Sequence, residues 1–118
     1  MGYARRYHLV TKGTQRRNLP LMKPFRWNPE KNETLRTERG ISFESIVVSV
    51  EAGGLLDILA HPNQAKYPKQ HVLVVACDNY AYLVPFVEEE DYFFLKTVIP
   101  SRKATRDYLN QGEADAET

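Results

Sequence analysis

The residues best suited to chemistry lie near the C-terminal end, in the run FFLKTVIPSRKATRDYL from Phe93 to Leu109. Ser101, Arg102, Lys103, Arg106 and Tyr108 place three cations and a phenol within eight residues. That set suits a phosphodiester: guanidinium and ammonium groups hold the phosphate, and a phenol orients it or gives it a proton. RNA can be cut without a metal. The 2′-OH attacks the adjacent phosphorus, and a cyclic phosphate and a 5′-OH leave. The step needs cations for the charged phosphorane, a base for the 2′-OH and an acid for the leaving oxygen. Arg102 is the first choice for the phosphorane, because it follows the strand-to-helix corner and its fork matches a phosphate. Arg106 lies one helical turn on. Lys96 lies one strand-length back and could face the same cleft. The same cations would also suit a solvated helix face.

Other residues are candidates for holding RNA rather than cutting it. Lys103 neighbours Arg102, and Lys31 sits on an exposed helix face. Lys66, Tyr67 and Lys69 alternate cations with a ring, a pattern that suits an unpaired strand. His61 and His71 stand ten positions apart with no ligand partner at metal spacing, so no zinc site is expected, and no cofactor is needed. His71, at a strand start, and Glu44, after a helix cap, are weaker candidates for a base. Tyr80 and Tyr82 alternate on one strand face and could stack or pack. Cys77 reads as inert core. No phosphate-binding glycine loop and no Ser-His-Asp arrangement is present.

The elements that position these residues can be read from caps and periodicity. Asn28-Pro29 opens a helix that Gly40 closes, with acids in its first turn and Arg36 and Arg39 in its last. It is polar, with Leu35 its only large aliphatic residue, so it lies on the surface, anchored by Phe25 and Trp27. Ser42 caps a second helix, whose Phe43, Ile46, Val47 and Val50 make a core face, and Gly53-Gly54 ends it. Leu55 to Ala60 reads as a strand. The loop HPNQAKYPKQ follows, then strands at His71–Cys77, Tyr80–Val87 and Tyr92–Ile99. Asp78-Asn79 is a hairpin turn. Pro85 predicts a bulge or bend in its strand. Pro100 ends the last, buried strand, and Ser101 caps a short helix. The expected fold is therefore α+β: two N-terminal helices, a four-stranded antiparallel sheet and a short C-terminal helix.

The chain has 118 residues, a net charge of +1 and 42% hydrophobic residues, which bounds it to one modest domain. We place that domain at residues 23–111. Residues 1–22 form a basic extension without apolar period, expected to be dispensable or to act as an arm touching nucleic acid, and Met22 is an alternative start. Residues 112–118 form an acidic tail. The lone cysteine rules out an internal disulfide and suits a cytoplasmic protein. No apolar run reaches the roughly 18 residues that span a membrane.

Two blocks together resemble a known family. FRWNPEKNETLRTERGISFESI contributes Trp27, Pro29, Lys31, Gly40, Ser42, Phe43 and Glu44, and FLKTVIPSRKATRDYL contributes Ser101, Arg102, Ala104 and Tyr108. They resemble the BrnT-like toxins of type II toxin–antitoxin systems. Asn28 stands where that family usually has Asp, Arg39 where it has His, and residues 57–87 match poorly. The resemblance implies a RelE-like fold and a metal-independent endoribonuclease that halts translation. It also implies a cognate antitoxin with a ribbon-helix-helix domain, through which alone the pair would touch DNA. A non-catalytic module that only binds such a partner is the other reading.

Overall fold

The computed structural model describes residues 23–110; the N-terminal extension and the acidic tail lie outside the described residues. Its elements are β1 (Phe25–Trp27), α1 (Pro29–Arg39), α2 (Phe43–Ser49), β2 (Leu55–Ala60), β3 (Gln70–Cys77), β4 (Tyr80–Glu88), β5 (Phe93–Leu95), β6 (Ile99–Pro100) and α3 (Arg102–Ala104). A wide π-type turn, Val50–Gly54, joins α2 to β2, and a second, Thr105–Leu109, continues α3.

The helix boundaries follow local chemistry. The Asn28 side chain accepts from the Glu30 and Lys31 amides, at 2.7 and 3.0 Å, and Gly40 closes α1 in the left-handed region at φ 69°. The Ser42 hydroxyl accepts from the Ser45 amide. Past α2, Gly54 is needed for space rather than for φ. A Cβ there would meet the Ala76 carbonyl oxygen at 2.6 Å. Asp78 and Asn79 have φ of 54° and 65°, the positive pair a two-residue hairpin turn requires.

The sheet has six strands rather than four. The expected antiparallel set is its centre, in the order β5-β4-β3-β2. β1 extends it by pairing parallel to β5, so Phe25 and Trp27, expected only as anchors, form an edge strand. The continuous strand expected from Tyr92 to Ile99 is broken. β5 and β6 both pair with β4 and are separated by Lys96–Val98. Pro85 causes no bulge in the β3–β4 pairing, whose register runs unbroken from Gln70↔Val87 to Cys77↔Tyr80. The reason is orientation. The Pro85 carbonyl accepts from the Lys96 amide, so its backbone groups point away from β3, and no ladder bond is lost.

Alternation divides the side chains between two layers. On the front face, α1, α2 and the turn after it bury Leu35, Phe43, Ile46 and Val50 against Ile58, Leu73, Val75, Cys77, Val84, Phe86, Phe93 and Leu95. Trp27 stacks on the fully buried Phe43 with ring centroids 5.5 Å apart. On the back face, Ala104 of α3 and Leu109 pack against Leu56, Leu59, Val74, Ala81 and Leu83.

One buried polar residue ties the two front helices together. Asn32 accepts from the Phe43 amide and donates to the Glu44 carboxylate, each at 2.8 Å. That donation, ahead of burial, holds the Glu44 carboxyl below its ordinary value, and it gives Glu44 a structural task. Asn32→Ala would leave the buried Phe43 amide unpaired, at a cost of about 1–3 kcal/mol. We expect it to melt several degrees lower, and the exposed neighbour change Lys31→Ala to melt with the parent.

Candidate functional site

The terminal cations are held in place by hydrogen bonds to β4. β6 is only two residues long and exposed, so the corner is not fixed by a buried strand as expected. The Ser101 amide donates to the Ala81 carbonyl at 3.0 Å, and the Ala81 amide donates to the Thr105 hydroxyl at 2.8 Å. Thr105 in turn donates to the Ser101 carbonyl, and the Ser101 hydroxyl accepts from the Ala104 amide as the cap. Both backbone groups of Ala81 therefore hold the helix, and Ala104 and Thr105 are buried beneath it.

Arg102, Lys103 and Arg106 are exposed on this anchored segment. They are not equivalent. Lys103 Nζ donates to Asp107 at 2.8 Å, and Arg106 Nε lies 3.8 Å from the same carboxylate. The Lys103 bond holds the Asp107 carboxyl below its ordinary value. Arg102 enters none of the ion pairs among the described residues.

Tyr108 reaches across the layer. Its hydroxyl donates to Asp57 Oδ2 at 2.6 Å. Asp57 is on this face because of a bulge. Leu55 pairs with Val75 and Asp57 with Val74, which leaves Leu56 extra. Strict alternation from Leu55 would have turned Asp57 towards the front core. Sequence reading missed Asp57. Its only signal was an acid inside the apolar run LLDILA.

Lys96 belongs to the same face. Phe93 and Leu95 point to the front core, so Phe94 points back, and Lys96 Nζ lies 5.8 Å from the Phe94 ring centroid. The structure thus collects Lys96, Arg102, Lys103, Arg106 and Tyr108 on the back face. It does not bring Lys31 there, which sits on α1 in the opposite layer. Lys66 and Lys69 lie in the β2–β3 loop, at the Gln70 end of β3, whereas α3 is fastened to Ala81, opposite Ala76 near the other end. In that loop, Lys66 Nζ is 5.4 Å from the Tyr67 ring centroid, and Tyr67 packs against His61 at 4.5 Å.

The weaker candidates have structural places. His71 is buried on the front face beside Phe86, so it is core rather than a strand-edge base. Tyr82 packs against the front core and touches Tyr80 edge-on at 5.7 Å. Arg39, at the position where the resemblance expects His, donates to the Val98 carbonyl at 2.6 Å and holds the break between β5 and β6. Cys77 is buried in the front core. Among the described residues, no three His, Cys, Asp or Glu side chains gather as a metal site, and no helix is long and apolar enough to cross a membrane.

Burial pushes the His71 imidazole below its ordinary 6.5, and the Glu88 carboxylate offsets part of this. The folded state therefore resists protonation that the unfolded chain accepts. The stabilisation from neutral His71 is complete above about pH 6.5 and declines as pH falls towards the lowered folded value. Between about pH 7 and 5 the parent should lose a few degrees of melting temperature that His71→Leu retains. Parallel curves for the two proteins would contradict this. In comparisons with known proteins, no family model, no curated protein and no solved structure matches the chain.

Proposed function

We propose that the chain is the toxin of a type II toxin–antitoxin pair, a metal-independent endoribonuclease with a RelE-like arrangement, related to the BrnT-like toxins its sequence resembles. The observation that carries this reading is the anchored, exposed pair Arg102 and Arg106, sharing the back face with Lys96 and Tyr108. A helix fastened to β4 at Ala81 fixes the backbone that carries the cations, and charge placed in advance favours a transition state over a substrate. The phosphorane carries more negative charge than the phosphodiester. Arg102 and Arg106 bind its oxygens as the 2′-oxygen attacks and the bond to the 5′-oxygen breaks. Lys96 adds a third positive charge. Tyr108 gives its hydroxyl hydrogen to Asp57, so its oxygen takes the 2′-OH proton as its own passes to that carboxylate, and solvent water protonates the departing 5′-oxygen. Lys103, bridged to Asp107, contributes to RNA affinity more than to the chemical step.

A free toxin of this kind harms its host, so the reading includes a neutralising antitoxin, a ribbon-helix-helix protein that brings the pair to operator DNA. The test is cleavage of RNA by purified, folded protein. Arg102→Ala and Arg106→Ala should each cut about a hundredfold more slowly, with unchanged circular dichroism, and Lys103→Ala should lose less. If both arginine variants cut at the parental rate, the site lies elsewhere. A parent that never cuts RNA, free or on ribosomes, but co-purifies with a ribbon-helix-helix protein from the adjacent gene, would be the non-catalytic binding module instead.

A further inference from the structure

The back face continues beyond α3, and there it carries two rings with two cations. Arg26 is opposite Phe94 in the β1–β5 pairing, and Phe25 and Trp27 pack on the front, so Arg26 points back. Its guanidinium carbon lies 5.1 Å from the Tyr92 ring centroid, and Lys96 Nζ lies 5.8 Å from that of Phe94. Phe94 in turn pairs with Val87, and Val87 with Gln70, so one line of back-face residues crosses four strands. Both rings are half-buried, and both cations are exposed. The neighbouring acid Glu88 points to the front face, where Lys23 holds it at 2.9 Å.

We propose that Tyr92 and Phe94, flanked by Arg26 and Lys96, form a stacking platform for unpaired bases of an RNA strand whose phosphates run on to Arg102 and Arg106. This rests on the nuclease reading and names the form of its substrate. A base has a π-face whatever its identity, so a flat, half-exposed ring accepts it without reading sequence. A cation beside the ring stacks on the base or neutralises its phosphate. A duplex keeps its bases inside and cannot use such a surface. The charge also fits this occupant. Arg26, Lys96, Arg102 and Arg106 all project on this side, while Asp57 is engaged by Tyr108. The acidic turn Glu89–Asp91 borders the platform and repels phosphate, so it limits the strand's path at that end.

The experiment measures binding of the full chain to a fluorescent 2′-O-methyl RNA of about ten nucleotides, which offers no 2′-OH and cannot be cut, and to its matched duplex. The parent should bind the single strand more tightly than the duplex. Phe94→Ala and Phe94→Leu should each weaken single-strand binding about tenfold. Phe94→Leu keeps most of the apolar contact, so it separates loss of stacking from loss of packing. Arg26→Gln should weaken it less and lower its salt dependence. Parental binding by Phe94→Leu, equal binding of duplex and single strand, or no binding by the parent would each overturn the platform. So would a Phe94 variant that keeps RNA but loses the ribbon-helix-helix partner, which would assign the face to that protein. Cleavage of unmodified RNA in parallel separates the two ideas. A parent that binds through Phe94 but never cuts refutes the nuclease alone. Loss of cutting in Arg102→Ala with unchanged binding in the Phe94 variants refutes the platform alone.

Discussion

The register of the β3–β4 hairpin is the constraint on which both layers depend. Its eight cross-strand pairs are set by the tight Asp78-Asn79 turn. That register sends Leu73, Val75, Cys77, Val84 and Phe86 to the front helices, and Val74, Ala81 and Leu83 to the terminal helix. Because side chains alternate with a period of two, a slip of one residue would exchange the two sets. The front helices would then face alanine and short valine positions, and the terminal helix would lose its seat. The same register leaves the Ala81 backbone pointing away from β3, where Ser101 and Thr105 take both of its polar groups. Placement of the cations is thus a consequence of sheet register carried through two hydrogen bonds.

The back face acquires its chemistry where the sheet departs from regularity. The bulge after Leu55 turns Asp57 to Tyr108. The break at Lys96–Val98 lets the chain leave β4 and rejoin it, and it seats Val98 in the front core while Arg39 satisfies the Val98 carbonyl. Pro85 tolerates this interval because its missing N–H would have pointed into it. The bulge turns Asp57 from the core to the back face, and the regular ladder from Asp57↔Val74 onward keeps it in place.

Asn32 shows a different kind of dependence. A single amide joins the first turn of α2 to α1 by using both ends of its side chain. The exposed polar helix α1 has little apolar surface of its own, with Leu35 alone deeply buried among its large side chains. Its attachment therefore leans on this clamp and on Trp27 against Phe43. The carboxylate of Glu44 is part of that attachment, which explains its place in the motif without invoking catalysis.

Local chemistry made much of the fold legible in the sequence. The caps at Asn28, Ser42 and Ser101, the close at Gly40 and the turn at Asp78-Asn79 all follow from contacts within a few residues. Such contacts cost little chain entropy, so residue type alone determines them. Candidate cations were legible too, because exposure follows from charge. The tertiary structure alone decided which of them share a face. It separated Lys31, Lys66 and Lys69 from Arg102, brought Asp57 to Tyr108 across 51 positions, and set Arg26 over Tyr92. It also paired β1 with β5 in parallel and buried His71. These contacts join segments far apart in the chain, and any of several partners would satisfy the same residue types. Only the packed sheet, with its register and its bulge, selects among them.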